Sequence, residues 1–213
     1  MSGVQSLSPS EEECVLVDVR IPVEVSQSCS FYKDNLTVTY GFLHPPNLAS
    51  GGNESDSLIT SNMAPMFTLF KGIWDYFHNV LVVKYWRTLR GVNVMSGPIF
   101  DKNADGRYDV LKQRNTLTPP LPTHYYVILT SCKNSASAPQ DCEGQLETMS
   151  FILPHRPDNT ETCHNASDYS WVEDWTQLHV ARVRDVELLT GLSFYPDLRP
   201  EDVLQLQTFL KTF

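Results

Sequence analysis

The chain has 213 residues, 41% of them hydrophobic and 11% aromatic, which suffices for one large domain with its own core. Its formal net charge is −9 at pH 7, and because an acidic chain repels phosphate backbones, we expect no nucleic-acid partner. No apolar run is long enough to span a bilayer and no signal peptide follows Met1, so we expect no direct membrane contact.

The N-terminal part predicts two strands and a loop. Residues 1–12 are polar and are expected to be frayed. Between Cys14 and Ile21 every second residue is valine or isoleucine, and Leu36–Tyr40 alternates in the same way, which is typical of strands. Residues 44–57 are rich in Gly, Pro, Ser and Asn and are predicted to form a mobile loop.

A long helix is predicted next. Ser61 or Asn62 can cap it, Pro65 fits its first turn, and Gly91 can end it. Aromatic and aliphatic side chains recur at helical spacing along it, which indicates a face packed in the core. These residues are Phe70, Ile73, Trp74, Phe77 and Leu81.

The C-terminal half mixes strands and helices. Two strands are predicted, at Thr123–Cys132 and Met149–Leu153. A capping box of Ser170 and Glu173 predicts the start of a helix, and Pro200 predicts the start of the last helix. Because strands and helices are interspersed without regular alternation, the sequence predicts an α+β domain with a mostly antiparallel sheet.

The stretch after the strand predicted within residues 91–100 matches the start of an EF-hand calcium loop. Side-chain oxygens and a glycine occupy loop positions 1, 3, 5, 6 and 9, and the carbonyl of Arg107 is placed as the backbone ligand. The matching residues are Asp101, Asn103, Asp105, Gly106 and Asp109. Lys112 stands where the loop normally has a glutamate, so we expect Asp109 to supply the last carboxylate. The alternative is a solvated turn rich in Asp and Asn.

Cysteines and glycosylation sequons point to an oxidising compartment. Sequons begin at Asn35, Asn53 and Asn165. The five cysteines form no C-x-x-C pair, and their odd number leaves at least one without a partner in the chain. We therefore expect an extracellular location, with the chain as the C-terminal part of a longer secreted or membrane-anchored protein.

Segments along residues 14–213 resemble, in order, the C-terminal nuclease-like domain of the ectonucleotide pyrophosphatase/phosphodiesterases. Within that family they are most similar to member three, followed by member one. The resemblance implies a DNA/RNA non-specific endonuclease-like (ββα-metal) fold, whose central, mostly antiparallel sheet is flanked by helices. The segments that carry it include Tyr40–Leu43, Ser61–Pro65, Gly91–Phe100, Phe151–Asn159 and Ala181–Gly191.

The resemblance also implies that nuclease chemistry is lost. Active nucleases carry Asp-Arg-Gly-His, whose histidine activates water, then an asparagine that holds magnesium and a nearby glutamate. Here the three positions fall at Phe42, near Phe70 and near His78. Because phenylalanine can neither accept a proton nor bind a hard cation, we expect no catalytic residue in this chain. His44 is a weak substitute, because in a strand-to-loop segment it would point from a different place.

By resemblance, the chain is a non-catalytic domain with structural Ca²⁺ that stabilises an upstream phosphodiesterase domain. The parent would hydrolyse nucleotide phosphodiester and pyrophosphate bonds. Cys132 would pair with Cys142, Cys14 and Cys29 with cysteines further upstream, and Cys163 with the catalytic domain. The alternatives are an active metal-dependent DNA/RNA endonuclease, or a binding module that uses residues 44–57.

Overall fold

The computed structural model describes residues 15–33, 35–48, 54–111, 119–133, 141–160 and 168–211. Cys14, Asn53, Cys163 and Asn165 lie outside these ranges, as does Lys112. The described strands are β1 (Val38–Phe42), β2 (Met63–Phe67), β3 (Asn93–Ile99), β4 (His124–Cys132), β5 (Leu146–Pro154) and β6 (Val180–Ala181). The described α-helices are α1 (Ser30–Lys33), α2 (Thr68–Tyr76), α3 (Val83–Leu89), α4 (Val172–Gln177), α5 (Val183–Thr190) and α6 (Pro200–Thr208).

The strands form two separate antiparallel sheets. One consists of β1 and β2, and the other has the strand order β3-β4-β5-β6. In β4, eight of the nine residues are buried, because this central strand is covered on both faces. The prediction of an α+β domain with antiparallel pairing is therefore confirmed.

A π-helical segment, Phe77–Val82, joins α2 and α3 into one continuous helical segment. Its buried side chains form a large part of the core. The side chains buried along it, including Trp74 and Phe77, pack against Tyr125, Phe151 and their neighbours in the larger sheet. On the other face of that sheet, Val183 and Val186 of α5 pack against Ile99 and other buried side chains of β3 and β4.

Two of the sequence predictions for the first half of the chain are wrong. The helix does not begin at Ser61: Met63–Phe67 is strand β2, because Met63, Ala64 and Met66 are buried and pair with β1. Within the alternating segment Cys14–Ile21, the described part, which begins at Val15, shows a single bridge, Leu16 to Ile59, and leaves Val19 94% exposed. Alternation makes a strand only where a second strand is available to pair with it.

In the second half of the chain, the structure also differs from the sequence prediction at the start of two helices. Helix α4 has no side-chain cap: the N–H of Ser170 bonds the carboxylate of Asp168, so the predicted capping box with Glu173 is not formed. At α5 the carboxylate of Asp185 accepts the backbone N–H of Arg182 at 3.0 Å, which is one half of such a box. None of the described helices is long and apolar enough to cross a membrane.

The two sheets are joined by side chains rather than by strand pairing. The imidazole of His155, which follows β5, accepts the N–H of Phe67 in β2 through Nε2 at 2.8 Å. Its Nδ1 lies 2.8 Å from the carbonyl of Pro122 and therefore carries the proton in this arrangement. The ring also stacks on Phe67, with centroids 4.5 Å apart. His155 thus needs to be neutral to join the sheets.

This geometry predicts loss of stability in acid. Burial lowers the pKa of His155 from 6.5 to about 4, and that of His78 likewise to about 4. Between those pH values the unfolded chain binds protons that the folded chain does not. Stability is therefore full above pH 6.5 and falls as the pH drops toward 4, by at most about 3 kcal/mol for each histidine. Urea unfolding at a series of pH values measures the slope.

The variant His155→Gln is the matched control, because an amide can replace both hydrogen bonds without titrating. We expect its slope between pH 6.5 and 4 to be smaller than that of the parent chain, with the remaining slope due to His78 and to His124, whose pKa burial also lowers. Equal slopes in the two proteins would show that His155 is not the group that responds to acid.

Candidate functional site

The predicted calcium loop begins at the buried end of β3. Asp101 is only 8% exposed, and its N–H donates to Oγ1 of Thr123 at 3.1 Å. At the far end of the loop the N–H of Asp109 donates to the carbonyl of Phe100 at 2.8 Å. Both ends of the loop are therefore held next to β3 and the start of β4, and the seven residues between them must turn sharply.

The turn is made by two residues with left-handed backbone, Ala104 at φ 55° and Gly106 at φ 76°. It folds the loop around the carboxylate of Asp101, which accepts the N–H of Asp105 at 3.1 Å and that of Gly106 at 3.2 Å. The carboxylate of Asp105 in turn accepts the N–H of Arg107 at 2.9 Å. These bonds hold the loop backbone in a compact turn.

The donor set has the chemistry of a calcium site, although its carboxylates are not gathered. Asp109 accepts the N–H of Lys102 at 2.7 Å, and the amide of Asn103 faces Asp105 at 3.1 Å. No three His, Cys, Asp or Glu side chains in the described ranges are grouped so that they could hold a metal ion. Each carboxylate oxygen that accepts one hydrogen bond retains a second lone pair, so these side chains remain able to bind a cation.

Trp74 contacts the three degenerate nuclease positions, although it meets Phe42 only at the backbone, and the half-buried ring of Phe42 packs on Tyr40 instead. Its indole N–H donates to the carbonyl of Phe42 at 2.9 Å, and its ring centroid lies 6.2 Å from that of Phe70 and 4.3 Å from that of His78. Phe70 also stacks on Tyr125 at 5.3 Å. Trp74 itself is fully buried. A packed aromatic cluster therefore occupies the place where the resemblance implies a catalytic centre.

His78 cannot act as a catalytic base in this setting. Its ring is fully buried, and Nδ1 lies 2.9 Å from the carbonyl of Trp74, which requires Nδ1 to carry the proton. Nε2 has no hydrogen-bond partner. Burial, opposed in part by the bond to Trp74 and assisted by nearby His44, lowers the pKa of His78 to about 4. A group without solvent contact cannot activate water for an external substrate.

His44 is placed differently, at the surface after β1. Its backbone is fixed on both sides by Asn62, whose side chain accepts the N–H at 2.9 Å and donates to the carbonyl at 2.7 Å. Its side chain is exposed, with no described hydrogen bond. A cavity of ≈ 20 Å³ beside Phe70, lined also by Ile73 and Trp175, has room for one water molecule.

The other predicted modification and pairing residues fall at the periphery. Cys132 and Cys142 form a disulfide, as the resemblance implied. Cys29 is half-buried and has no disulfide partner among the described residues. Asn35 lies in a turn in which its side-chain oxygen accepts the N–H of Thr37 at 3.1 Å and the hydroxyl of the same residue at 3.1 Å. The glycosylation of Asn35 stays a prediction.

Sequence reasoning missed the connecting residues. It assigned Trp74 to the core without its bond to β1, and gave no individual role to His155 or Thr123. Thr123 links the loop to the sheets, because its hydroxyl accepts the N–H of Asp101 and its carbonyl accepts the N–H of His155 at 3.0 Å. No local pattern marks such residues, because each acts on a segment distant in sequence.

The cluster predicts that Trp74→Phe is strongly destabilising. The change leaves the buried carbonyl of Phe42 without its donor and opens a cavity, which together cost about 2–4 kcal/mol of unfolding free energy. The same change at Trp86, which is 56% exposed on α3, is the matched control and should cost less than about 0.5 kcal/mol. Urea unfolding measures both, and equal losses would contradict the role given to Trp74.

Comparison with known proteins identifies relatives over nearly the whole chain. No model of a known protein family matches it. Venom phosphodiesterase 2 of Crotalus adamanteus is 53% identical over 216 residues, which cover 98% of this chain and 27% of the relative. The venom phosphodiesterase of Naja atra is 52% identical, with 98% and 26% covered.

Mammalian relatives are also similar. Ectonucleotide pyrophosphatase/phosphodiesterase family member 3 of Rattus norvegicus is 49% identical over 217 residues, with 98% of this chain and 25% of the relative covered. The corresponding protein of Mus musculus is 47% identical. The chain thus spans about a quarter of the length of the curated relatives that it matches.

Proposed function

Because this chain is a C-terminal domain of the ectonucleotide pyrophosphatase/phosphodiesterase type, we propose that it is a non-catalytic domain that binds calcium and stabilises a phosphodiesterase domain. The observation that carries the proposal is the cluster around Trp74. Where a nuclease would need a base and a metal ligand, this chain has Phe42, Phe70 and the buried His78. Such a cluster supports packing and excludes substrate.

The proposal includes a nuclease-like fold of the ββα-metal type. Strands β1 and β2 pair antiparallel and helix α2 follows β2 directly, which is the order that the name of the fold describes. The larger antiparallel sheet lies beneath this unit, with helices on both of its faces. This arrangement supports the assignment that the resemblance suggests.

The calcium site in this proposal consists of Asp101, Asn103, Asp105, the carbonyl of Arg107 and Asp109. Their oxygens are the hard ligands that Ca²⁺ prefers, and the loop turns at Gly106 as an EF-hand loop does. Bound calcium would neutralise carboxylates that otherwise repel one another, and so would hold the loop against β3. Its role is structural.

The proposed partner is the phosphodiesterase domain of a longer extracellular protein, which hydrolyses nucleotide phosphodiester and pyrophosphate bonds. The names of the relatives and their fourfold greater length support this part of the proposal. Exposed apolar side chains near the N-terminal end, such as Val19 and Val23, are suited to burial against another domain. Cys14, Cys29 and Cys163 are proposed to form disulfides outside this chain, and no direct membrane contact is proposed.

Removal of calcium tests the metal assignment. A ligand that binds only the folded form stabilises it by about 2.7 kcal/mol at a hundredfold excess over Kd, which corresponds to roughly 5–10 °C in Tm for a chain of this size. We expect EDTA to lower Tm by this amount and excess calcium to restore it. In Asp101→Asn and Asp105→Asn the calcium-dependent shift should disappear.

Asp197→Asn makes the same chemical change at an exposed aspartate far from the loop in sequence, and it should keep the full shift. A Tm of the parent chain that is insensitive to EDTA and calcium would reject the calcium site. A shift that survives in Asp101→Asn would place the cation elsewhere.

The alternative, an active endonuclease, rests on the exposed imidazole of His44 next to β1. We expect no cleavage of plasmid DNA or RNA in the presence of magnesium, because no described base lies beside a group of metal ligands. Gel electrophoresis after prolonged incubation measures this. Cleavage that is retained in Phe42→Ala and lost in His44→Ala would establish the alternative instead.

A further inference from the structure

Tyr108, the eighth residue of the calcium loop, joins the loop to the C-terminal end of helix α5. Its N–H donates to the carbonyl of Leu188 at 3.1 Å. Its ring lies on Gly191, where an added Cβ would come within 2.9 Å of Cδ1. Gly191 ends α5 with left-handed backbone at φ 70°. Both the helix end and the close approach of the ring therefore require a residue without a bulky side chain.

The end of α5 is in turn connected to the rest of the C-terminal region through Glu187. This carboxylate is buried and accepts the N–H of Phe194 at 3.0 Å and the side-chain amide of Gln207 in α6 at 2.9 Å. Arg184 supplies its counter-charge at 3.0 Å. A change at the end of α5 would therefore reach α6.

On its other side Tyr108 is bonded covalently to Asp109, a member of the proposed ligand set. The N–H of Asp109 is fixed on Phe100, while its carboxylate faces the N–H of Lys102 within the loop. Tyr108 thus contacts α5 through its own backbone and ring, while the next residue, Asp109, would bind the cation. Because the two residues are adjacent in the chain, a shift of the loop backbone at one of them displaces the other.

We infer that calcium binding in the loop and docking of the α5 C-terminal end are coupled through Tyr108. The inference rests on the calcium site proposed above. Three carboxylates within nine residues repel one another until a cation neutralises them, so the cation holds the loop in the form that presses Tyr108 onto Gly191. Coupling between two sites is reciprocal: a well-docked α5 must also raise the calcium affinity of the loop.

Hydrogen exchange of the 213-residue chain tests the first direction. With saturating calcium we expect the amides of Val183–Thr190 to exchange at least about fivefold more slowly than in EDTA, the low end of typical coupling. Tyr108→Ala should reduce this ratio to below about twofold, whereas Tyr108→Phe, which keeps the ring, should retain it. Val110→Ala removes an exposed apolar side chain beside the loop and serves as the control.

Calorimetric titration with calcium tests the reverse direction in Gly191→Asn. Asparagine tolerates left-handed backbone, so this variant keeps the helix end while its Cβ displaces the ring of Tyr108. We expect its Kd for calcium to rise about fivefold or more with all loop ligands intact. An unchanged Kd would overturn the coupling, and this variant also decides the matter if Tyr108→Ala does not fold.

The outcomes separate the inference from the proposal beneath it. Absence of calcium binding to the parent chain rejects the calcium site and the coupling with it. Calcium binding without any change in the exchange of α5 leaves the site in place and overturns the coupling. Full calcium-dependent protection of α5 in Tyr108→Ala overturns the role of Tyr108.

Discussion

Among the described residues, the edge of strand β2 that faces away from β1 has no neighbouring strand. Its buried backbone N–H and C=O groups therefore need hydrogen-bond partners from elsewhere. Side chains from distant positions meet this need. Gln27 donates to the carbonyl of Met63 at 2.9 Å, Tyr125 to that of Pro65 at 2.7 Å, and His155 accepts the N–H of Phe67. Pro65 contributes by lacking an N–H that would otherwise need a partner.

These side-chain hydrogen bonds to the edge of β2 hold the two sheets together in one domain. Tyr125 belongs to β4 and His155 follows β5, so two of the three bonds tie the small sheet directly to the large one. Trp74 adds a third tie from α2 to the last residue of β1. The aromatic rings that carry these bonds fill the space between the sheets. The position that the resemblance assigns to nuclease chemistry has thereby become the structural centre of the domain.

At the surface, the loop that follows β3 also connects segments that are distant in sequence. The loop reaches inward to Thr123, whose carbonyl is held by the backbone of His155, and outward to α5 through Tyr108. In the proposed function a cation at this position would stabilise contacts on both sides of the larger sheet. In the same proposal, a domain held together in this way supports a neighbouring domain.

The sequence alone determined the features that depend on local pattern. Strands β4 and β5 follow from their β-branched and aromatic content, and the turn at Asp101–Asp109 from the spacing of its Asp, Asn and Gly residues. The resemblance located the three degenerate positions and the Cys132–Cys142 pair. These features were accessible because each is encoded within a short segment or a recognisable set of segments.

Only the tertiary structure decided what depends on distant partners. Met63–Phe67 carries a proline and helix-compatible neighbours, yet it is a strand because β1 pairs with it and the core buries it. The alternating segment at Val15–Val19 is not a strand, because it finds one bridge and no continuous partner. The roles of His155, Thr123 and Tyr108 likewise arise from contacts between segments far apart in the chain. Hydrogen bonds and burial across such distances override local preference, because their free energy is gained only when the whole domain folds.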